Sequence, residues 1–310
     1  MRPLRRARAV VRDRIANIVR QEMRQQTRVI VQMAAQVAEA RLSDASRLAS
    51  TVDHTKNPTD EFYATLADRL RAAGVRVKDR DVDISAFVAW MESYPAMCEQ
   101  YVDPSVGMEK RLEHYLSWDS TRPMAGDRYL DVAAAGSCWA SCLRNAGVKA
   151  LSVDLSYPGG VHGCRIGADA QAVPLPANSV DTMSAQCAFE CFQGEADIGF
   201  IREAARLVRP GGRLAIVPLH VDDTHFIATS PYTIVDRSEF DEGATVVWRD
   251  DEYDEPFSRH YSPEALLERL GEALGLFSDV TVVHVTNLDA LRDHWPESRL
   301  YAYFMLECTK

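Results

Sequence analysis

Arg128-Tyr-Leu-Asp-Val-Ala-Ala-Ala-Gly-Ser137 opens, and Arg209-Pro-Gly-Gly-Arg-Leu-Ala-Ile-Val-Pro-Leu219 closes, the stretch on which the reading of this chain turns. Between them lie Leu151-Ser-Val-Asp-Leu155, Gly167-Ala-Asp-Ala-Gln-Ala-Val-Pro-Leu-Pro176 and Ser179-Val-Asp-Thr-Met-Ser-Ala-Gln-Cys-Ala-Phe-Glu190. Short β-rich runs alternate with turns and helical patterns, which predicts an α/β fold on a parallel sheet. Residues 129–132 read as a buried strand ending in Asp131 and small residues; Ser137 can cap the following helix and Gly147 can end it. A second strand, 150–153, ends at Asp154, 23 residues after Asp131. A carboxylate at the tip of a second strand is placed to hold a ribose hydroxyl pair.

The remaining strands are predicted at 165–168, 182–187 and 214–219, with an amphipathic helix over 196–208. Only nine residues, 156–164, separate strands two and three, and they contain Pro158-Gly159-Gly160. A parallel crossover needs a dozen or more residues, so the helix here is expected to be replaced by a loop across the sheet edge, carrying His162. Residues 220–261 read as a polar insert with an acidic run at 250–255, above the carboxyl ends of the strands where open α/β sheets bind ligands. Ser262-Pro263-Glu264 starts a capped helix that stops at Gly275, and 280–285 and 301–308 are two apolar strands.

With those residues in place, the block from about 109 to the C-terminus resembles a class I S-adenosylmethionine-dependent methyltransferase domain. The resemblance rests on acidic ends to strands one and two, Gly-x-Asp-Ala before Pro-Leu-Pro, a Val-Asp start to strand four, and Arg202-Glu-Ala-Ala-Arg-Leu-Val-Arg-Pro-Gly-Gly-Arg-Leu214. It implies a Rossmann-like, seven-stranded methyltransferase sheet closed by an antiparallel pair, with S-adenosylmethionine as cofactor. It further implies that Asp131 and the loop of Ala133, Ala135 and Gly136 lie along the methionine portion. Asp154 would hold the ribose hydroxyls and Asp169 the adenine amino group, Leu155 and Ala170 would join the cofactor contacts, and Gln186 would sit beside the transferred methyl. A helix over 108–118 would cover the cofactor, offering His114 or Tyr115. The family writes glycines where Ala133, Ala135 and Ser137 stand; the alanines are expected to be tolerated if their backbone keeps φ below zero.

The chain of 310 residues is 46% hydrophobic and 26% charged, ordinary for a globular protein. Its net charge of −10 argues against non-specific nucleic-acid binding by the bulk of the chain. Residues 1–28 depart from that balance, with nine Arg against Asp13 and Glu22, a net +7 that leaves −17 on the rest. Seven scattered Cys without a Cys-x-x-Cys pair read as free thiols, and the absence of an apolar leader or membrane-length run predicts a cytoplasmic protein.

Residues 1–50 carry a helical pattern, with Val19, Met23, Gln26, Ile30, Met33, Val37 and Ala40 at alternating steps of four and three. This heptad seam is read as an N-terminal helical extension that forms a homo-oligomeric coiled coil. The other readings are a basic face of residues 1–28 on a membrane surface or acidic partner, and packing onto the chain's own domain. Residues 51–107 are expected to be a linker and helical cap, with a helix opened by Asn57-Pro58, a charged connection over 75–83 and a helical pattern over 84–101 interrupted before Pro95; 108–310 would be the catalytic domain.

Methyl transfer to an alcohol needs a general base. The candidates are His220, His225, Glu190 and His260, all expected near the carboxyl ends of strands four and five. Asp222-Asp223-Thr224-His225 offers donors to a divalent ion, but the spacing is not a recognised cage and no metal ligands are assigned. The expectation is an O-methyltransferase acting on a hydroxyl of a small molecule or glycan: a sugar, polysaccharide or secondary metabolite. The alternatives are a non-catalytic methyltransferase-like scaffold and a nicotinamide oxidoreductase; the missing Gly-x-Gly-x-x-Gly disfavours the last.

Overall fold

The computed structural model describes residue 33 and residues 58–103, 105–229, 240–249 and 256–310. The heptad seam of residues 1–50, apart from Met33, and the acidic run 250–255 lie outside the described residues.

Thr59 caps the first helix, α1 (Asp60–Ala72), accepting from the Phe62 amide at 3.3 Å. Strand β1 (Val77–Arg80) follows, then α2 (Ile84–Ser93), α3 (Pro95–Gln100) and α4 (Gly107–Thr121). The interruption expected at Pro95 is therefore real, the proline standing at the first position of α3. The sheet domain continues with β2 (Arg128–Val132), α5 (Trp139–Asn145), β3 (Lys149–His162), β4 (Arg165–Gly167) and β5 (Val180–Gln186). A 3-10 turn (Phe189–Cys191), α6 (Ala196–Leu207) and β6 (Val208–Val217) come next. Three short strands, β7 (Phe226–Thr229), β8 (Thr245–Trp248) and β9 (Ser258–His260), precede α7 (Pro263–Leu274), β10 (Asp279–Val285), α8 (Leu288–His294) and β11 (Phe304–Thr309).

The main sheet runs β1-β10-β11-β6-β5-β2-β3-β4. Its first seven strands from the β4 edge are the expected methyltransferase sheet, with β11 antiparallel to both β6 and β10. Every β2 residue after Arg128 is buried, as a strand covered on both faces must be. The reversal of strand order at β2 and β5 opens a crevice at their carboxyl ends.

Three expectations need correction. The charged connection at 75–83 contains β1, an eighth strand that pairs in parallel with β10, Val77 opposite Val282 through Arg80 opposite Val285. Lys78, Asp79 and Arg80 mask it in sequence because an edge strand needs no apolar alternation and is protected by charge. The 156–164 segment has no helix, as expected, but it is not a loop. It prolongs β3, with Val161 opposite Ile166 and His162 opposite Arg165. Gly167 permits this approach, since a Cβ there would stand 2.0 Å from the Pro158 carbonyl oxygen. The insert after β6 is likewise not simply polar: β8-β7-β9 form a second sheet with Phe226, Ala228 and Val247 buried together.

Candidate active site

Helix α4 crosses the crevice and turns one face toward it. Lys110, Glu113, His114 and Ser117 recur at steps of three and four, so they share that face. Lys110, Glu113 and His114 line a cavity of about 310 Å³ together with Gln100, Tyr101, Asp131, residues 133–137, Gln186 and Cys187. Ser117 accepts from the Gln186 side-chain amide at 2.9 Å, and Ser184 accepts from it at 2.8 Å. Both amide hydrogens are thus engaged within the protein, which leaves the carbonyl end of Gln186 for the cavity.

Asp131 is 1% exposed and its Oδ2 has no hydrogen-bond partner. Burial pushes its carboxyl up to about 7, against a backbone hydrogen bond from Ala140 that draws it down. The adjoining loop is held from both sides: Gln100 donates to the Gly136 carbonyl at 3.0 Å and accepts from the Cys138 amide at 2.7 Å. Within it Ala133 and Ala135 have φ of +52° and +39°. The expected condition, alanines with negative φ, is therefore overturned. The alternate positions keep the left-handed backbone that glycine would adopt freely, now at a steric cost.

Asp154 stands at the bend of β3. Its Oδ2 accepts from the Ala135 amide at 2.7 Å, and its Oδ1 accepts from the Ser156 amide at 2.8 Å and hydroxyl at 2.6 Å. Leu155 beside it is 77% exposed, an apolar side chain with nothing described over it. Asp154 faces Gly167 across the β3–β4 ladder, so exposed Asp169 and half-buried Ala170 belong to the same edge. Tyr157 closes that edge by donating to the Ala135 carbonyl at 2.5 Å.

At the other end of the cavity, the Lys110 ammonium donates to the Cys187 sulfur and lies 3.4 Å from Glu113. Glu113 is fully buried; burial raises its carboxyl to about 7, with Glu190 adding to the rise and Lys110 opposing it. Burial, then the charges of Glu113 and Glu190, holds the Cys187 thiol well above its ordinary range. His114 is buried and depressed to about 4. Its neutral ring donates from Nδ1 to the Lys110 carbonyl at 2.6 Å and accepts at Nε2 from Ser137 at 3.4 Å.

The four expected base candidates divide. Glu190 lies in the 3-10 turn, close enough to raise Glu113. His220 stacks between His260, at 4.6 Å, and Tyr301, at 5.8 Å. His260 in turn stacks on Phe226 at 4.2 Å. Burial, reinforced by the charges of His220, Arg249 and His225, keeps its ring neutral. His225 turns away from that stack: Nδ1 faces the His260 carbonyl at 2.8 Å and Nε2 faces Asp241 at 3.2 Å. It belongs to a structural lock centred on fully buried Arg259. That guanidinium donates to Asp241 at 2.7 Å and 2.8 Å and to the Gly194 carbonyl at 2.9 Å, and it pairs with Asp197 at 3.1 Å. The lock fastens the turn after β5 to the second sheet.

One further expectation fails on position. Tyr115 packs in an aromatic cluster with Phe87 and Trp90 at 5.0 Å and 5.8 Å and does not line the cavity. One residue along a helix from His114 is a turn of about 100°, which carries its ring to the other side of α4. His162 is exposed and bonds to the Gly159 carbonyl of its own turn at 2.9 Å. Sequence reading passed over Lys110, Glu113 and Cys187, although the three-and-four spacing of Lys110 and Glu113 with His114 was there to be used. Among the described residues, no group of three or more His, Cys, Asp or Glu is disposed to hold a metal ion, and no helix is long and apolar enough to cross a membrane.

Residues 130–216 match the family model described as "Methyltransferase domain". No curated protein matches the chain. Among solved structures, the 1,6-didemethyltoxoflavin-N1-methyltransferase of Burkholderia thailandensis, with 1,6-didemethyltoxoflavin and S-adenosylhomocysteine bound, is 15% identical. That match covers 73% of this chain and 87% of that one, at a TM-score of 0.44. An S-adenosylmethionine-dependent methyltransferase from Mesorhizobium loti is 17% identical over 63% of this chain and 97% of that one, at 0.41. The YcgJ protein of Bacillus subtilis is 21% identical over 36% of this chain at 0.32, and the match spans 53%, about half, of its length. Residues 130–216 thus match a methyltransferase domain, set in a sheet whose strand order is the one expected of the class I, S-adenosylmethionine-dependent fold.

Proposed function

We propose that the protein transfers a methyl group from S-adenosylmethionine to a hydroxyl of a small molecule, a sugar, polyol or secondary metabolite. The observation that carries the cofactor is the buried, unpartnered Oδ2 of Asp131 in a cavity one strand away from Asp154. An orphaned buried carboxylate oxygen costs free energy unless a cationic donor meets it, and the ammonium of an amino-acid moiety is such a donor. Asp131 and the loop of Ala133, Ala135 and Gly136 would then hold the methionine end. Asp154 would hold the ribose hydroxyls, Leu155 would flank the adenine, and Asp169 and Ala170 would meet its amino edge. When bound, the cofactor supplies an electrophilic methyl group on a sulfonium.

Gln186 and Cys187, at and just after the end of β5, would border that methyl. We assign the general base to His220, whose ring plane is set by His260 and Tyr301 on either side. Glu190 and His260 would then shape the polar wall behind it, and the Arg259 lock would hold the turn bearing Glu190 in register. Self-association through residues 1–50 is part of the same proposal: deleting them lowers the mass seen by light scattering, and an unchanged mass removes it.

A second reading, a non-catalytic methyltransferase-like subunit, is favoured by one observation, the left-handed alanines of the first loop. Titration calorimetry with S-adenosylhomocysteine separates the two. The enzyme binds it, and Asp154→Ala weakens binding about tenfold or more, as expected for lost hydrogen bonds to a carboxylate. No binding by the folded wild-type protein would overturn the assignment. Transfer of labelled methyl from S-adenosylmethionine to polyol and glycan extracts then tests the acceptor class, and with it His220→Ala.

A further inference from the structure

A second cavity, of about 420 Å³, lies at the amino ends of β2 and β3. A parallel crossover ordinarily lays a helix over its sheet, yet neither the β3–β4 nor the β4–β5 connection contains one. The turns of 168–179 run there instead and give Leu175 and Ser179 to the wall. The rest is largely apolar, with Leu130, Val148, Leu151 and Val180, and exposed Lys149 and Cys164 open the cavity to solvent. Its charged lining residues, Arg128, Arg144 and Lys149, are all cations, in a chain of net charge −10. Arg128 is neutralised by Asp181, which accepts from its Nε at 2.8 Å and its Nη2 at 3.0 Å. Asp127, next to it in the chain, accepts from the Met124 amide at 2.8 Å. Arg144 donates to neutral groups, the Ala150 carbonyl at 3.1 Å and the Ser141 hydroxyl at 2.6 Å. Lys149 has no carboxylate partner among the described residues. A separate observation marks the same cavity: the Ser179 hydroxyl oxygen is buried there without a hydrogen-bond partner, which costs free energy until a polar group meets it.

We propose that this cavity binds an organic anion, with its apolar body against Leu130, Leu151 and Leu175 and its acidic head group on Lys149 and Arg144. The Ser179 hydroxyl offers a further polar partner. Burial of the body supplies most of the affinity, and the two cations without an acidic partner supply the choice of charge. Such a ligand bridges α5, β3 and the 168–179 connection. The site is distinct from the cofactor cavity: Arg128 and Asp131 lie at opposite ends of β2, about 10 Å apart along the strand. It does not depend on the cofactor reading above.

Octanoate, octanol and octylammonium share one alkyl chain and are negative, neutral and positive at neutral pH, so their differences isolate the charge of the head group. Cys164 reports from inside the site, because its thiol lines the cavity and is exposed to a reagent that a bound chain would shield. Cys191, also exposed but in the 3-10 turn after β5, is the internal control.

The test is the rate of alkylation of each thiol by N-ethylmaleimide in the full chain, read peptide by peptide by mass spectrometry, with each of the three probes at millimolar concentration. The expected result is that octanoate slows Cys164 severalfold, octanol slows it less and octylammonium not at all, while Cys191 is unchanged. Lys149→Glu, a substitution at an exposed position, should weaken the octanoate protection about fivefold, as reversal of one partly solvated charge does. Equal protection by all three probes overturns the proposal, as does no protection by octanoate or an equal slowing of Cys191. A Lys149→Glu protein that keeps the full octanoate protection overturns it too; should that variant not fold, the wild-type comparison decides alone.

Discussion

Replacing Ala133 and Ala135 by glycine, singly and together, puts the loop between β2 and α5 to a direct test. Both residues have positive φ, +52° and +39°. An L-residue in the left-handed region costs about 1–2 kcal/mol, because its Cβ crowds the following carbonyl. Glycine removes that cost but gains freedom in the unfolded chain, which returns about 0.4–1 kcal/mol to the unfolded side. The net gain is about 0.5–1 kcal/mol per site, or about 1–2 kcal/mol for the pair if the two are additive. At about 2–4 °C per kcal/mol for a chain of this order, the double variant should melt a few degrees higher. Ala134, between them, supplies the control. It is buried and has no positive φ, so Ala134→Gly should lose about 1–2 kcal/mol from backbone freedom and a buried methyl. Thermal unfolding of wild type and the four variants by circular dichroism measures all of this. If Ala133→Gly and Ala135→Gly lower the melting temperature as Ala134→Gly does, the loop is not strained and the argument fails.

Other outcomes follow from groups buried in or near the cavity. Asp131 is held up to about 7 from an ordinary 3.8, so the fold favours its protonated form. That contribution is fully present below about pH 4 and is lost as pH rises through 7. Asp131→Asn should therefore be more stable than wild type at pH 8 and no more stable at pH 4; equal differences at both, by urea denaturation, would refute the burial argument. Arg259→Ala should cost about 3–5 kcal/mol, because it deprives Asp241 and Asp197 of a buried partner, and a loss below about 1 kcal/mol would show the lock to be ornamental. The same variant should leave the β2 end of the sheet intact, which hydrogen exchange of the 129–132 amides would show.

Strands whose side chains face a core on both sides were the easy part to read. Residues 129–132, 182–186 and 280–285 are runs in which apolar or β-branched residues predominate, as strands buried in a sheet require. β1 was hidden because an edge strand is chosen for what it repels, and Lys78, Asp79 and Arg80 look the same in a loop. The β7–β9 sheet was hidden because its strands are three or four residues long and its core is small. At the site, the carboxylates at strand tips could be placed because topology brings Asp131 and Asp154 to neighbouring strands. Backbone φ at Ala133 could not be read, since alanine has no preference for the left-handed region; only the loop's anchoring by Gln100 and Asp154 selects it. Tyr115 was chosen for its chemistry where the helix period should have ruled, and the same period would have picked Glu113. His225 shows the remaining gap: its partner Asp241 comes from a distant segment that no local pattern points to.

The eighth strand has a consequence for how this protein could be joined to anything else. β1 and the helix before it sit at one border of the sheet, five strands from β2. At ~4.8 Å per strand that is about 24 Å from the ligand crevice. The described chain enters the fold through α1 at that border. A module joined directly at residue 58 would therefore be attached at the border of the sheet remote from its chemistry.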